Sequence, residues 1–307
     1  MIPYENRSLI YEDLSLDPNV FEKKLRIIHF NDVYNIEEGK TEPVGGASRF
    51  YTAIEYLKKE GPALITFSGD ALSPSSLSVF AKGNQMIDAL NELSIHAAGI
   101  GNHEFDMGLD VFEDLIKKSN FPWLLSNIFD ADTSKPLLNV PTKTIVDVNG
   151  VKVGIFALGE KDWAVSLSCI DAEDIIYESY VEVSRKLVKE LRSDNCDIVI
   201  ALTHMRWRND VNLAKKVPEI DLILGGHDHE YETRNVNGKW VIKSGSDFKE
   251  LSVIEIDISE VIKLKKIEKV IIDSKVPEDS RIKGMVDTYL GKNFYYLGIL
   301  VSRLSIC

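Results

Sequence analysis

Six histidines occur in this 307-residue chain, and four of them, His103, His204, His227 and His229, stand where an apolar run ends in a polar turn. Acids and an amide share those places. Leu25-Arg26-Ile27-Ile28-His29-Phe30 leads into Asn31-Asp32, and Ala63-Leu64-Ile65-Thr66-Phe67-Ser68 leads into Gly69-Asp70. The run 95–100 leads into Gly101-Asn102-His103-Glu104-Phe105-Asp106, the run 197–202 into Thr203-His204, and the run 220–224 into Gly225-Gly226-His227-Asp228-His229. Each run reads as a buried strand, so its exit is a turn that can present side chains. Carboxylates, imidazoles and one amide form a hard-to-borderline ligand set suited to Zn²⁺, Mn²⁺ or Fe. A metal site spanning these exits is therefore expected. Taken alone, Asn102-His103 followed by Asp106 and Asp110 also fits a polar turn that caps the next helix.

The elements that must position these residues alternate strand, loop and helix. After the first strand, Gly45-Gly46-Ala47-Ser48 opens a helix whose apolar face is Phe50, Ala53, Ile54 and Leu57, with Lys58 and Lys59 suited to its C-terminal end. The pattern repeats as 63–70 with 84–93, 95–100 with 108–118, 151–158 with 172–193, and 196–202 with 209–216, which argues an α/β fold. Asn149-Gly150 and Asn237-Gly238 predict hairpin turns, and 251–258 with 261–272 predicts a half-exposed antiparallel pair, so the sheets should be mixed. Hydrophobic residues make up 44% and charged residues 27%, an ordinary balance for a folded domain. A net charge of −12 repels phosphate backbones and argues against nucleic acid as a partner. Cys169, Cys196 and Cys307 cannot all pair and read as free thiols, two packed and one at the terminus.

In this order and spacing, His29-Phe-Asn-Asp32, Phe67-Ser-Gly-Asp70, Gly101-Asn-His-Glu-Phe-Asp106, Thr203-His204 and Gly226-His-Asp-His229 resemble the calcineurin-like metallophosphoesterases, and among them the 5'-nucleotidase family. The resemblance covers about residues 25–275. It implies a four-layer sandwich, two mixed β-sheets packed face to face and flanked by helices. It also implies two divalent metal ions, Zn or Mn foremost, with Fe, Mg or Co also compatible. Carried onto this sequence, Asp70 bridges both ions, Asp32 and His229 hold the first, and Asn102, His204 and His227 hold the second. His103 then acts on the phosphoryl transition state or leaving oxygen, with Asp106 fixing its tautomer. Asn31 either braces the first site or serves the turn. Arg206 and Arg208 either reach a phosphate or begin a solvated helix, and Trp163 and Trp207 are walls or core.

One position departs from the family pattern. The usual Asp-x-His of the first block is Asp32-Val33-Tyr34 here. Either the first site is short of a ligand, or Tyr34 coordinates as a phenolate suited to Fe³⁺, or Tyr34 only packs; a weakened site with water in place of imidazole is the expectation carried forward. The expected activity is metal-dependent hydrolysis of phosphate monoesters, nucleotides first. A sugar-phosphate phosphatase or phosphodiesterase on the same core, and a non-catalytic binding protein, are the alternatives. Residues 1–20 read as an N-terminal extension, 21–275 as the catalytic domain, and 276–307 as a linker-like helix with an apolar tail. The first residues lack a basic start and apolar core, so a cytoplasmic protein is expected and the sequon at Asn6 unused, although relatives are often exported. No run approaches a membrane span, and the oligomeric state is left open. Full-length 5'-nucleotidases continue into a base-binding second domain. With the chain ending at Cys307, hydrolysis of simple aryl phosphates but poor discrimination of AMP is the expectation.

Overall fold

The structure is a computed structural model that describes residues 4–13, 23–163, 171, 173–259 and 261–291. Among these, fifteen strands, numbered in chain order, form three sheets. The first sheet contains β1 (Arg7–Glu12), β2 (Lys24–Phe30), β3 (Leu64–Phe67), β4 (Ala97–Gly99), β5 (Trp123–Leu124), β14 (Glu250–Asp257) and β15 (Lys263–Ile271). Its lateral order is β1-β15-β14-β2-β3-β4-β5, parallel from β2 to β5 and antiparallel elsewhere. The second contains β7 (Lys143–Val148), β8 (Val151–Gly159), β10 (Ile198–His204), β11 (Leu222–Gly225), β12 (Tyr231–Val236) and β13 (Lys239–Ser244). Its order is β12-β13-β11-β10-β8-β7, with a parallel centre and an antiparallel strand at each edge. A small pair, β6 (Ile128–Asp130) with β9 (Ile175–Tyr177), stands apart.

Period-two alternation in these strands explains the layering. Leu25 and Ile27 of β2 face Ile155, Ile200 and Leu224 of the other sheet, in one apolar layer between the sheets. Ile28 and Phe30 point the other way, onto Phe50, Ile54 and Leu57 of the helix Ala47–Lys59. On the far face of the second sheet, Phe156 and Val199 pack with Leu187 of the helix Tyr180–Ser193 and Leu213 of the helix Trp207–Lys216. Helix, sheet, sheet and helix therefore make four layers around three apolar seams. Both expected hairpins form, and the paired positive φ angles, 52° and 79° at Asn149-Gly150 and 52° and 83° at Asn237-Gly238, are those of a type I′ turn.

Three segments differ from expectation. Of the stretch 172–193 read as a helix, Ile175–Tyr177 is strand β9 and the helix itself is Tyr180–Ser193. Within the stretch read as an extension, Arg7–Glu12 is an edge strand paired with β15, and Asn6 is buried, its amide donating to Ile271 O at 2.8 Å. The expected half-exposed strand 251–258 is instead interior: β14 lies between β15 and β2, and Val253 is buried against the outer helices. Residues 280–291 are helical, and Ile282 and Val286 dock on the outer core. Cys196 is a buried free thiol. Cys169, Cys307 and the apolar tail 297–307 lie outside the described residues. Among the described residues no helix is long and apolar enough to cross a membrane.

Candidate metal centre

Parallel pairing sends the C-terminal ends of β2, β3 and β4 to one rim, and those of β10 and β11 meet them across the sandwich. The rim is where an α/β sheet presents loops to a ligand. Asp32, Asp70 and His227 all have positive φ, at 53°, 64° and 78°. Such backbone costs about 1–3 kcal/mol per non-glycine residue and persists only where its surroundings fix it. Here they do. Asp32 N–H donates to Gly69 O (2.9 Å), Val33 N–H to Asp70 O (2.8 Å), and Asp247 N–H to Asp32 O (2.8 Å). Gly101 lets β4 approach the site: a Cβ there would lie 2.2 Å from Asp70 Oδ1.

One cluster is Asp70, His204 and His227, whose ligating atoms lie within 4.8 Å of one another. His204 is buried, and its Nδ1 donates to Ser68 O at 2.8 Å, which points Nε2 at Asp70 Oδ2, 3.0 Å away. That Nε2 is buried without a well-directed hydrogen bond. Burial alone would lower the His204 pKa, but the Asp70 and Asp32 carboxylates outweigh it and push it up to about 10. Asn102 Oδ1 joins from β4, 3.2 Å from His227 Nδ1. Burial and then His204 hold His227 below the usual range. A buried imidazole nitrogen aimed at a carboxylate, beside a second imidazole and an amide oxygen, fits a borderline divalent cation.

The second cluster is Asp32, Asp70, Tyr34 and His229. Tyr34 is buried, and its hydroxyl lies 3.0 Å from Asp32 Oδ1, 3.2 Å from Asp70 Oδ2 and 2.8 Å from His229 Nε2. Its oxygen thus lies among the polar atoms of the cluster, hydrogen-bonded to both carboxylates and the imidazole. Burial first, then Asp70 and Asp32, raise the phenol pKa well above its ordinary value. Burial also works against the Asp32 carboxylate, yet His204, His229 and Asn31 together hold it below the usual range. Asn31 braces the site: its amide donates to Asp32 Oδ2 (2.7 Å) and Gly245 O (2.8 Å), and its carbonyl accepts from Ser244 N–H (2.7 Å).

Beside both clusters, His103 Nδ1 bonds Asp106 Oδ2 at 2.7 Å, and that bond, against partial burial, raises the imidazole pKa. The backbone N–H of His103 donates to Asp70 Oδ1 at 2.8 Å, so the dyad is fixed to the carboxylate shared by the clusters. The next helix, Leu109–Lys118, has Gly108 as its N-cap and no side-chain cap. Arg206 is set one layer out, its guanidinium paired with Glu160 and, at 2.6 Å, with Asp162. Arg208 pairs with Asp162 at 2.9 Å and is largely exposed. Trp163 is buried edge-on to His204 at 5.7 Å, and Trp207 stacks under Arg234 at 4.1 Å.

Two supporting residues escaped the sequence reading. Glu104 is fully buried and accepts N–H bonds from Asp70 (3.0 Å), Ala71 (2.6 Å) and Gly101 (2.6 Å), tying the β3 exit to the β4 exit. Burial and then Asp70 push its carboxyl up to about 7, although the N–H bonds oppose this. Lys243, also fully buried, donates to Met205 O (2.5 Å), Gly226 O (2.7 Å) and Asp228 Oδ2 (2.6 Å) and pairs with Asp210 at 2.8 Å. It ties the residue after His204 to the residue before His227. The available signals were an acid inside the Asn102-His103 block and a lone cation in the apolar strand Trp240-Val241-Ile242-Lys243.

A family profile described as calcineurin-like phosphoesterase matches residues 25–231. The 5'-nucleotidase of Rattus norvegicus is 28% identical over 233 residues, or 71% of this chain, which spans only 40% of that relative's length. The crystal structure of the 5'-nucleotidase precursor from Thermus thermophilus aligns with a TM-score of 0.79 at 22% identity, over 89% of this chain and 59% of that one. The calcineurin-like phosphoesterase YfkN from Bacillus subtilis aligns at 0.77 and 19% identity, over 89% of this chain and 98% of that one. At these identities the solved structures speak for the fold alone.

Proposed function

Because the chain belongs to the calcineurin-like phosphoesterase family, we propose that it hydrolyses phosphate monoesters at a centre of two metal ions, with nucleotides as the foremost substrate class. Asp32, Asp70 and His229 would hold one ion, and Asp70, Asn102, His204 and His227 the other. When bound, the ions supply a nucleophilic water at neutral pH and neutralise charge on the phosphoryl oxygens. The remaining work falls to side chains of this chain. We assign His103 to give a proton from Nε2 to the departing ester oxygen, because Asp106 occupies Nδ1 and raises the imidazole pKa. The observation that carries this reading is the short tie between that dyad and Asp70, which sets the acid beside the carboxylate shared by both ligand sets. Glu160 and Asp162 occupy Arg206 and Arg208, so contact of either arginine with phosphate would need those ion pairs to open.

Nucleotides are favoured over other esters by the similarity to 5'-nucleotidases. The deciding experiment follows phosphate release from AMP, ribose 5-phosphate and p-nitrophenyl phosphate, and nitrophenol release from bis(p-nitrophenyl) phosphate, in Mn²⁺ or Zn²⁺. Monoester turnover that stops with a chelator and returns with metal supports the reading. Faster turnover of the diester would replace it with a phosphodiesterase, and no turnover of any ester would favour a binding protein.

A further inference from the structure

Outside the metal centre, a cleft of about 260 Å³ opens between the helix Leu109–Lys118 and the turn Leu137–Asn139 that follows β6. Leu109, Pro136, Leu137 and Leu138 give it an apolar wall, and Lys135 and Asn139 add polar groups. Both acids at the cleft are already engaged. Asp130 accepts from Thr133 N–H (2.8 Å) and Thr133 Oγ–H (2.6 Å), and Glu113 pairs with Lys117 at 3.3 Å. Among the described residues, the Lys135 ammonium and the Asn139 side-chain amide have no partner.

The turn is held in a conformation that its sequence resists. Leu138 has φ 56° and ψ 17°, and Asn139 has φ 52°. Asparagine tolerates the left-handed region, but a leucine there is an outlier that persists only where its surroundings over-determine it. Leu137 and Val140, on either side, are buried in the outer core, and Asn139 N–H donates to Pro136 O at 2.8 Å. With both flanks anchored, Leu138 and Asn139 are presented to the cleft. Backbone strain of this kind gathers at ligand sites. An apolar wall with a few free polar groups is also what such sites have.

The cleft lies on the side of the metal centre where the ester oxygen would depart. β4 and β5 are parallel and leave their sheet at the same rim. The β4 exit carries His103 and Asp106, and the β5 exit runs through β6 into the turn. Leu109 follows Asp106 by three residues, so their Cα atoms are at most roughly 11 Å apart. The way between them is open at Gly108, where a Cβ would meet nothing within 4 Å among the described residues. We propose that this cleft receives the base of a nucleoside 5'-monophosphate whose phosphate sits at the metal ions. The heterocycle lies on Leu109 and Leu138, with its edge toward the donors of Lys135 and Asn139. Sites that enclose a whole ligand measure about 300–1,000 Å³, so this smaller cleft suits one end of a substrate held elsewhere. The proposal rests on the phosphomonoesterase reading of the metal centre. It sets aside the expectation of poor discrimination of AMP, which counted on a second domain for the base.

The test measures kcat/KM for AMP and for ribose 5-phosphate, which keeps the phosphate and sugar and lacks the base, on full-length protein in Mn²⁺. Wild type should prefer AMP by about tenfold or more, the order that contacts in one apolar pocket supply. Leu138→Gly and Asn139→Gly both suit a left-handed backbone, and a melting curve on each checks the fold. Each should bring the ratio of the two kcat/KM values toward one. Equal values in wild type overturn the cleft as a base site while leaving the phosphomonoesterase reading in place. So does a wild-type preference that neither variant lowers, or a loss in the variants that is the same for both esters. Turnover of neither ester ends the phosphomonoesterase reading instead. Equilibrium dialysis with adenosine, which needs no turnover, then decides the cleft by itself. Retention by wild type that both variants lose supports it, and retention that they share, or none at all, overturns it.

Discussion

His103 touches substrate in the proposed chemistry but holds no ion, so its loss should be felt in turnover and not in metal content. A general acid contributes about 10²–10⁴-fold, and His103→Ala is expected to lower kcat by that order while elemental analysis shows unchanged metal. Loss of an ion from that variant would make His103 a ligand and end the assignment. The Asp106 bond raises the His103 pKa above its ordinary value. The protonated acid is therefore fully present below the ordinary histidine range and lost as pH rises through the raised value. Asp106→Asn removes the largest raising cause, so the alkaline limb of the kcat profile should move to lower pH, and kcat at neutral pH should fall. An unmoved limb would mean that another group sets it. The grouping of these residues was legible in sequence because several strand exits carry His, Asn or Asp together, while the separate roles came from the family resemblance, since Asn and Asp at a strand exit serve turns and caps equally well. The Tyr34 hydroxyl was not, because a phenol packs as readily as it binds and only its neighbours decide.

At the scale of elements, the hairpins at Asn149-Gly150 and Asn237-Gly238 and the strands of both sheet centres followed from local pattern, since turn chemistry and apolar runs act over a few residues. β1 did not, because an edge strand with one face in water shows a mostly exposed pattern, and its pairing with β15 joins residues more than 250 positions apart. β14 was misread as half-exposed for a related reason. Its Glu255 looks like a solvated face, while Val253 is buried in the outer core and Ile254 and Ile256 in the layer between the sheets. Glu104 and Lys243 are charged and buried, against the rule for their types, and became visible only through the loops they join. That yields a prediction for the β3 and β4 exits. A glutamine in place of Glu104 offers one acceptor oxygen to three N–H groups, so at least one buried donor is left without its partner, at about 1–3 kcal/mol. Glu104→Gln should lower the melting temperature and weaken metal binding together, because Asp70 and Gly101 hang on the same carboxylate. Unchanged metal affinity at lowered stability would confine Glu104 to the fold.

For the whole molecule, the two sheets meet at the rim through charges that invite a cation, so metal binding and folding must be linked. An ion bound only by the native state stabilises it by about 2.7 kcal/mol when present at a hundredfold excess over Kd. At about 2–4 °C per kcal/mol for chains somewhat smaller than this one, metal should raise the melting temperature by several degrees. The sign of the pH dependence comes from His204. In the metal-free protein its pKa is pushed up to about 10 by Asp70 and Asp32 against burial. The stability that this proton gives the metal-free fold is complete below the unfolded value of about 6.5 and is lost as pH rises through about 10. A metal ion at Nε2 must displace the same proton. Below about pH 10, therefore, each unit of rising pH should strengthen binding about tenfold for this one group. The melting-temperature gain from a fixed concentration of Zn²⁺ should accordingly grow between about pH 6 and about pH 8. His204→Gln should flatten that growth as well as shrink the gain. A gain that is equal at both pH values in the wild type would mean that His204 already binds metal without giving up a proton, and the linkage argued from Asp70 and Asp32 would fail.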